Sequence, residues 1–143
     1  MKFKFSLDSV LKVRKHQQKV EEQKLAEELM KKKELDQLKQ NIADSLSSYI
    51  DESKQTEAAN IHQIKRHSIH LEETHKRLEK LSGASDELEK SVKKVRKSLT
   101  KAHKKRHILE VVKDFEKSLF IKDQSEKEQK NLDEIATQSY TRL

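Results

Sequence analysis

From Leu71 to Leu109 one alternation of three and four residues runs without a skip. It takes in Leu71, Thr74, Leu78, Leu81, Ser85, Leu88, Val92, Val95, Leu99, Ala102, Arg106 and Leu109. Nine of these twelve are apolar, and charged or polar side chains fill most of the positions between them. A repeat averaging about 3.5 residues keeps one narrow stripe on one side of a gently supercoiled helix. Such a stripe suits a partner helix and is narrower than the face a globular core needs. A looser version opens the chain at Leu7, Leu11, Leu25, Leu35, Ile42, Leu46 and Tyr49, and no proline interrupts either part. The pattern predicts an all-α fold: an elongated, antiparallel two-helix coiled-coil hairpin, counted as one domain.

Composition narrows the function. Of 143 residues, 40% are charged and 4% aromatic. A two-helix seam buries one stripe per helix and cannot wall in an apolar pocket. Catalytic carboxylates need a concave, desolvated site to shift their pKa values, and this architecture offers none. There is no glycine-rich phosphate loop, nucleophile elbow, His-Glu-x-x-His or cysteine nucleophile. The expectation is a non-enzyme without a cofactor. Lack of cysteine suits a reducing compartment. The N-terminus has no continuous apolar signal region, and the longest run of large apolar residues, Leu119-Phe120-Ile121, is far too short to cross a bilayer. These features point to a cytoplasmic protein.

Local signals place the helices. Ser6 is a candidate N-cap, with Asp8 in the first turn and Phe5 stapled to Val10. Glu-to-Lys or Glu-to-Arg pairs at i,i+4, including Glu28–Lys32, Glu72–Lys76 and Glu89–Lys93, support helicity weakly. The lone Gly83 invites a turn at 82–85, but the seam passes through it in phase. The polar stretch Asp51 to Asn60 is the better place, with Asn60 capping the second helix. The expected layout is helix 1 over about 5–54, a turn at about 55–60 and helix 2 over about 61–140. Residues 112–143 then project beyond the paired region with Val111, Val112, Phe115, Leu119, Phe120 and Ile121 in or beside them, apolar groups wanting a partner, either the Phe3/Phe5 end of helix 1 or another protein.

Two side-chain clusters invite a binding role. Between Lys90 and Leu109 the basic residues Lys93, Lys94, Arg96, Lys97, Lys101, Lys104, Lys105 and Arg106 occur with no acid. Such a patch attracts carboxylates or phosphates. The plain alternative is a solvated face on a charged helix; as a binding surface, no aromatic interleaves it to stack bases, so an acidic protein surface is favoured over nucleic acid. His103 and His107 share a helix face, and His67 and His70 lie three apart, but neither pair has the third and fourth ligands a zinc site requires. No metal is expected.

Both ends carry a resemblance. Phe3-Lys4-Phe5-Ser6-Leu7-Asp8-Ser9-Val10-Leu11-Lys12-Val13-Arg14 resembles the opening of the FliJ family, the small coiled-coil component of the bacterial flagellar export apparatus. Glu128-Gln129-Lys130-Asn131-Leu132-Asp133-Glu134-Ile135-Ala136 is similar to the Glu-Gln-Lys-x-Leu-Asp-Glu-hydrophobic-Ala segment near the family's close. The resemblance implies a stalk-like coiled coil, peripheral to the inner membrane, serving type III export and motility. It would bind and activate the hexameric export ATPase, contact the membrane export gate and help cycle export chaperones. Carried over by position, the ATPase-binding residues are Phe3, Phe5, Leu7, Leu11 and Arg14 at one end. At the other they are Gln129, Lys130, Leu132, Asp133, Glu134 and Ala136. No residue is assigned to the gate. The competing readings are the stalk of a virulence-type secretion system and a basic coiled coil that binds nucleic acid.

Overall fold

The computed structural model describes residues 2–54 and 60–142. Two helices account for nearly all of them: α1, Asp8–Lys54, and α2, Ile61–Thr141. The fold is all-α, an antiparallel two-helix coiled-coil hairpin, with no strand among the described residues. Gly83 lies inside α2 without a positive φ, so the chain does not turn at 82–85. The turn expected at about 55–60 falls, apart from Asn60, outside the described residues.

The two helix starts are built differently. At α2, the backbone N–H of Asn60 donates to Gln63 Oε1 at 3.2 Å, and the Asn60 carbonyl accepts from Ile64 at 3.0 Å. This is the backbone half of a capping box, with Asn60 at the N-cap. At α1 the expectation fails. The Leu7 carbonyl accepts the first helical bond, from Leu11 at 2.9 Å, which makes Leu7 the N-cap and leaves Ser6 outside. The Ser6 hydroxyl instead donates to the Glu116 carboxylate, 3.2 Å from Oε1. One residue before the N-cap, the hydroxyl is within reach of a carboxylate on the facing helix. Phe5 is buried while Val10 is exposed.

All twelve seam positions of α2 are buried or half-buried. The same strict alternation holds in α1, where Leu11, Arg14, Gln18, Glu21, Leu25, Glu28, Lys32, Leu35, Lys39, Ile42, Leu46, Tyr49 and Ser53 are each at least half-buried. Seven of these thirteen are polar or charged, which is why only fragments of the stripe stand out in the sequence. Leu7 is in phase with this alternation, four residues before Leu11, but as the N-cap it precedes the helix and is 39% exposed.

Contacts divide the chain into two units: Met1–Val20 with Leu99–Leu143 (unit 1), and Glu21–Ser98 (unit 2). In unit 2, Lys32 Nζ meets Glu89 Oε1 at 3.0 Å and Ser85 Oγ donates to Asp36 Oδ1 at 3.2 Å. Lys32 thus crosses to the facing helix rather than pairing with Glu28, which contacts Lys31 at 3.6 Å. The Lys32 bond and charge hold the Glu89 carboxyl below its usual 4.5. Val92 and Ser85 are the buried residues of this unit. In unit 1 the core is Leu11, 2% exposed, with Phe5 beside it in burial.

Candidate partner-binding site

Unit 1 holds every residue singled out at the two chain ends, and the structure sorts them by role. Residues 2–5 precede α1 without helical structure. Within them Phe3 packs on Phe120, ring centroids 5.6 Å apart and planes tilted by 51°. Phe5 and Leu11 are buried, so their apolar surface goes into packing rather than towards a partner. Leu7 stays partly exposed. Arg14 is a half-buried seam residue, and its Nη1 donates to Gln17 Oε1 at 3.1 Å.

Sequence reasoning places the end of pairing too early. The Phe3–Phe120 and Ser6–Glu116 contacts carry the facing segment of α2 out to Phe120, so the projecting part starts there and not at residue 112. The cause is the register of pairing: Lys32 with Glu89 and Asp36 with Ser85 already match each residue of α1 about five positions further along α2 than a pairing of 5–54 with 61–111, and Ser6 with Glu116 keeps nearly the same offset. The Phe3–Phe120 contact matches one of the two partners expected for the projecting apolar residues, the Phe3/Phe5 end of helix 1, whereas Glu116 is missed as an anchor. The seam itself could have revealed it, since the alternation continues from Leu109 through Lys113 and Glu116 to Phe120, all half-buried or better.

Beyond Phe120, α2 runs on to Thr141, and every described residue after Gln124 is exposed. The C-terminal motif lies on this stretch. Leu132 is 62% exposed, with Ile135 and Tyr140 similarly open. Gln129 Nε2 donates to Asp133 Oδ1 at 3.5 Å, while Lys130, Glu134 and Ala136 also lie at the surface. The two motifs are not brought together as one patch: the first locks the chain's start onto α2, and the second stands clear of α1.

The basic stretch divides between the units. Lys93, Lys94, Arg96 and Lys97 are exposed on unit 2, and Lys101, Lys104 and Lys105 on unit 1. Arg106 belongs to the seam; its Nε lies 3.5 Å from Glu110 Oε1 but makes no hydrogen bond. The His103 and His107 rings stack at 6.1 Å. His67 Nδ1 meets Tyr49 Oη at 2.9 Å, and His70 packs edge-on against the same ring at 4.4 Å. Among the described residues no group of three or more His, Cys, Asp and Glu is placed to hold a metal ion.

The family model for the flagellar FliJ protein matches residues 3–142, nearly the whole chain. The chain belongs to the FliJ family. Comparison with curated proteins and with solved structures gave no match. FliJ-family membership makes the chain a component of the flagellar export apparatus. No helix among its described residues is long and apolar enough to cross a membrane.

Proposed function

We propose that this FliJ-family chain acts without catalysis of its own, as a stalk-like partner that binds and activates the hexameric export ATPase and assists export chaperones. The observation that carries this reading is the C-terminal run of α2, which continues from Phe120 to Thr141 with Leu132, Ile135 and Tyr140 exposed. Apolar groups set on a helix that no second helix covers are suited to a partner's surface. The exposed lysines of the basic stretch would add fast, salt-sensitive association with acidic surfaces. Work at the cytoplasmic side of the inner membrane, near the export gate, belongs to the same reading; the gate surface itself is not assigned to any residue.

The test is the hydrolysis rate of the cognate export ATPase with the chain added whole or truncated after Lys122. The truncation leaves Phe3–Phe120 and Ser6–Glu116 intact and removes almost solely exposed residues. Stimulation by the whole chain that the truncation loses supports the reading. Equal stimulation by both moves the contact away from the C-terminal run, and no stimulation by either overturns activation as the function.

A further inference from the structure

Where the two helices of unit 1 pair, one side carries acids among its lysines and the other carries none. Taking Leu11 and Arg106 as heptad position a, positions g and c of both helices lie on one side of the antiparallel pair and e and b on the other. On the g and c side α1 places Val10, Val13, Gln17 and Val20, and α2 places Lys101, Lys105, Ile108, Val112, Phe115, Leu119 and Lys122. No acidic residue is among them. The opposite side carries both signs, Asp8, Glu110 and Asp114 together with Lys12, Lys15, Lys19 and Lys117. Val13 is 54%, Ile108 61% and Phe115 64% exposed, so the apolar part of the acid-free side is open to solvent. An indentation of about 290 Å³ lined by Ser9, Val10, Val13, Arg14 and Gln17 adds a guanidinium at its edge.

We propose that this side of unit 1 docks an amphipathic helix of a protein partner, one that presents apolar residues flanked by carboxylates. The apolar residues give this face its contact area, and Arg14, Lys101 and Lys105 select for acids at its margin. A basic or neutral helix would leave those cations facing like charge or no charge, which is how the surface discriminates. A second copy of the chain fits poorly, because it would bring the same acid-free side, or a side with both signs, against these lysines. The proposal deepens the ATPase reading by naming the chemistry of the partner's segment, and it rests on that reading only for which protein supplies the segment.

Binding is measured for the native chain against two probes: the cognate export ATPase, and a synthetic leucine–glutamate amphipathic peptide with its leucine–lysine counterpart as reference. Val13→Gln/Phe115→Gln and Lys101→Glu/Lys105→Glu should each weaken both the ATPase and the glutamate peptide about tenfold or more. Lys15→Glu/Lys104→Glu, an equal charge change off this side of unit 1, should do far less. All substituted residues are exposed, and unchanged melting curves would exclude misfolding. ATPase binding that is equal in all variants overturns the inference and leaves the ATPase reading standing. Failure of the native chain to bind the ATPase, with side-specific capture of the glutamate peptide, overturns the ATPase reading and supports the inference. Equal capture of the lysine peptide, or a native dimer dispersed by Val13→Gln/Phe115→Gln, overturns the inference.

Discussion

Replacing Arg106 with leucine should make the free protein more stable. Arg106 occupies a seam position with its side chain only 29% exposed, and its buried Nε has no hydrogen-bond acceptor. In unit 1 the contacts Phe3–Phe120 and Ser6–Glu116 set a register that brings Arg14, also at the seam, to the same level. Two half-buried guanidiniums therefore share one stretch of seam with a single carboxylate, Glu110, placed at 3.5 Å. Leucine at this position buries about two-thirds of an apolar side chain, worth about 1–2 kcal/mol. It removes a desolvated donor that costs about 1–3 kcal/mol. It loses an i,i+4 ion pair worth about 0.3–0.5 kcal/mol and the packing of the arginine methylenes. The net is about 2 kcal/mol in favour of Arg106→Leu, or a rise of about 4–8 °C in Tm for a chain of this size. The assay is thermal unfolding followed by circular dichroism at several protein concentrations, to separate intrinsic stability from self-association. A lower Tm for Arg106→Leu would refute the reasoning and show that the guanidinium is well compensated.

Three further outcomes rest on individual side chains. Leu11→Ala should cost about 3 kcal/mol, since Leu11 is the most deeply buried large side chain, whereas Leu38→Ala, at a position 48% exposed, should cost under about 1 kcal/mol in the same denaturant titration. Gly83→Ala should raise stability by about 0.5–1 kcal/mol, because the glycine is inside a helix, has no positive φ, and a Cβ there meets nothing within 4 Å. The Lys32–Glu89 pair depresses the Glu89 pKa in the folded state, so its stabilisation is present above the unfolded carboxyl value and disappears as pH falls through the lower folded one. Glu89→Gln should therefore melt below the native chain at about pH 7 and match it at about pH 3; a difference that persists in acid would contradict the assignment.

The legibility of the fold depended on what occupied the seam. In α2 apolar side chains at nine of the twelve seam positions from Leu71 to Leu109 mark the stripe, and the structure buries or half-buries all twelve. In α1 the same geometry is filled by Arg14, Gln18, Glu21, Glu28, Lys32, Lys39 and Ser53, polar side chains whose long members lay their apolar stems along the seam while their ends find partners such as Glu89 for Lys32. Hydrophobicity alone cannot mark such positions; the phase carried from Leu11 could have. Leu7, apolar yet exposed, misleads in the opposite direction. The role of Ser6 was hidden because a capping hydroxyl and one reaching the facing helix look alike until Glu116 is placed. The candidate site residues stood out as two short motifs, but their unequal exposure did not, since burial of Phe5 and Leu11 and the openness of Leu132 depend on where α1 stops covering α2.

The central claim is that unit 1, with the projecting run of α2, carries the contact with the export ATPase. Amide hydrogen exchange of the chain with and without the cognate ATPase tests this most directly. The account predicts slower exchange on binding in α2 beyond Phe120, with the start of α1 around Arg14, and no change around Tyr49 and His67. Protection confined to Glu21–Ser98, or bound ATPase with no added protection beyond Phe120, would contradict it.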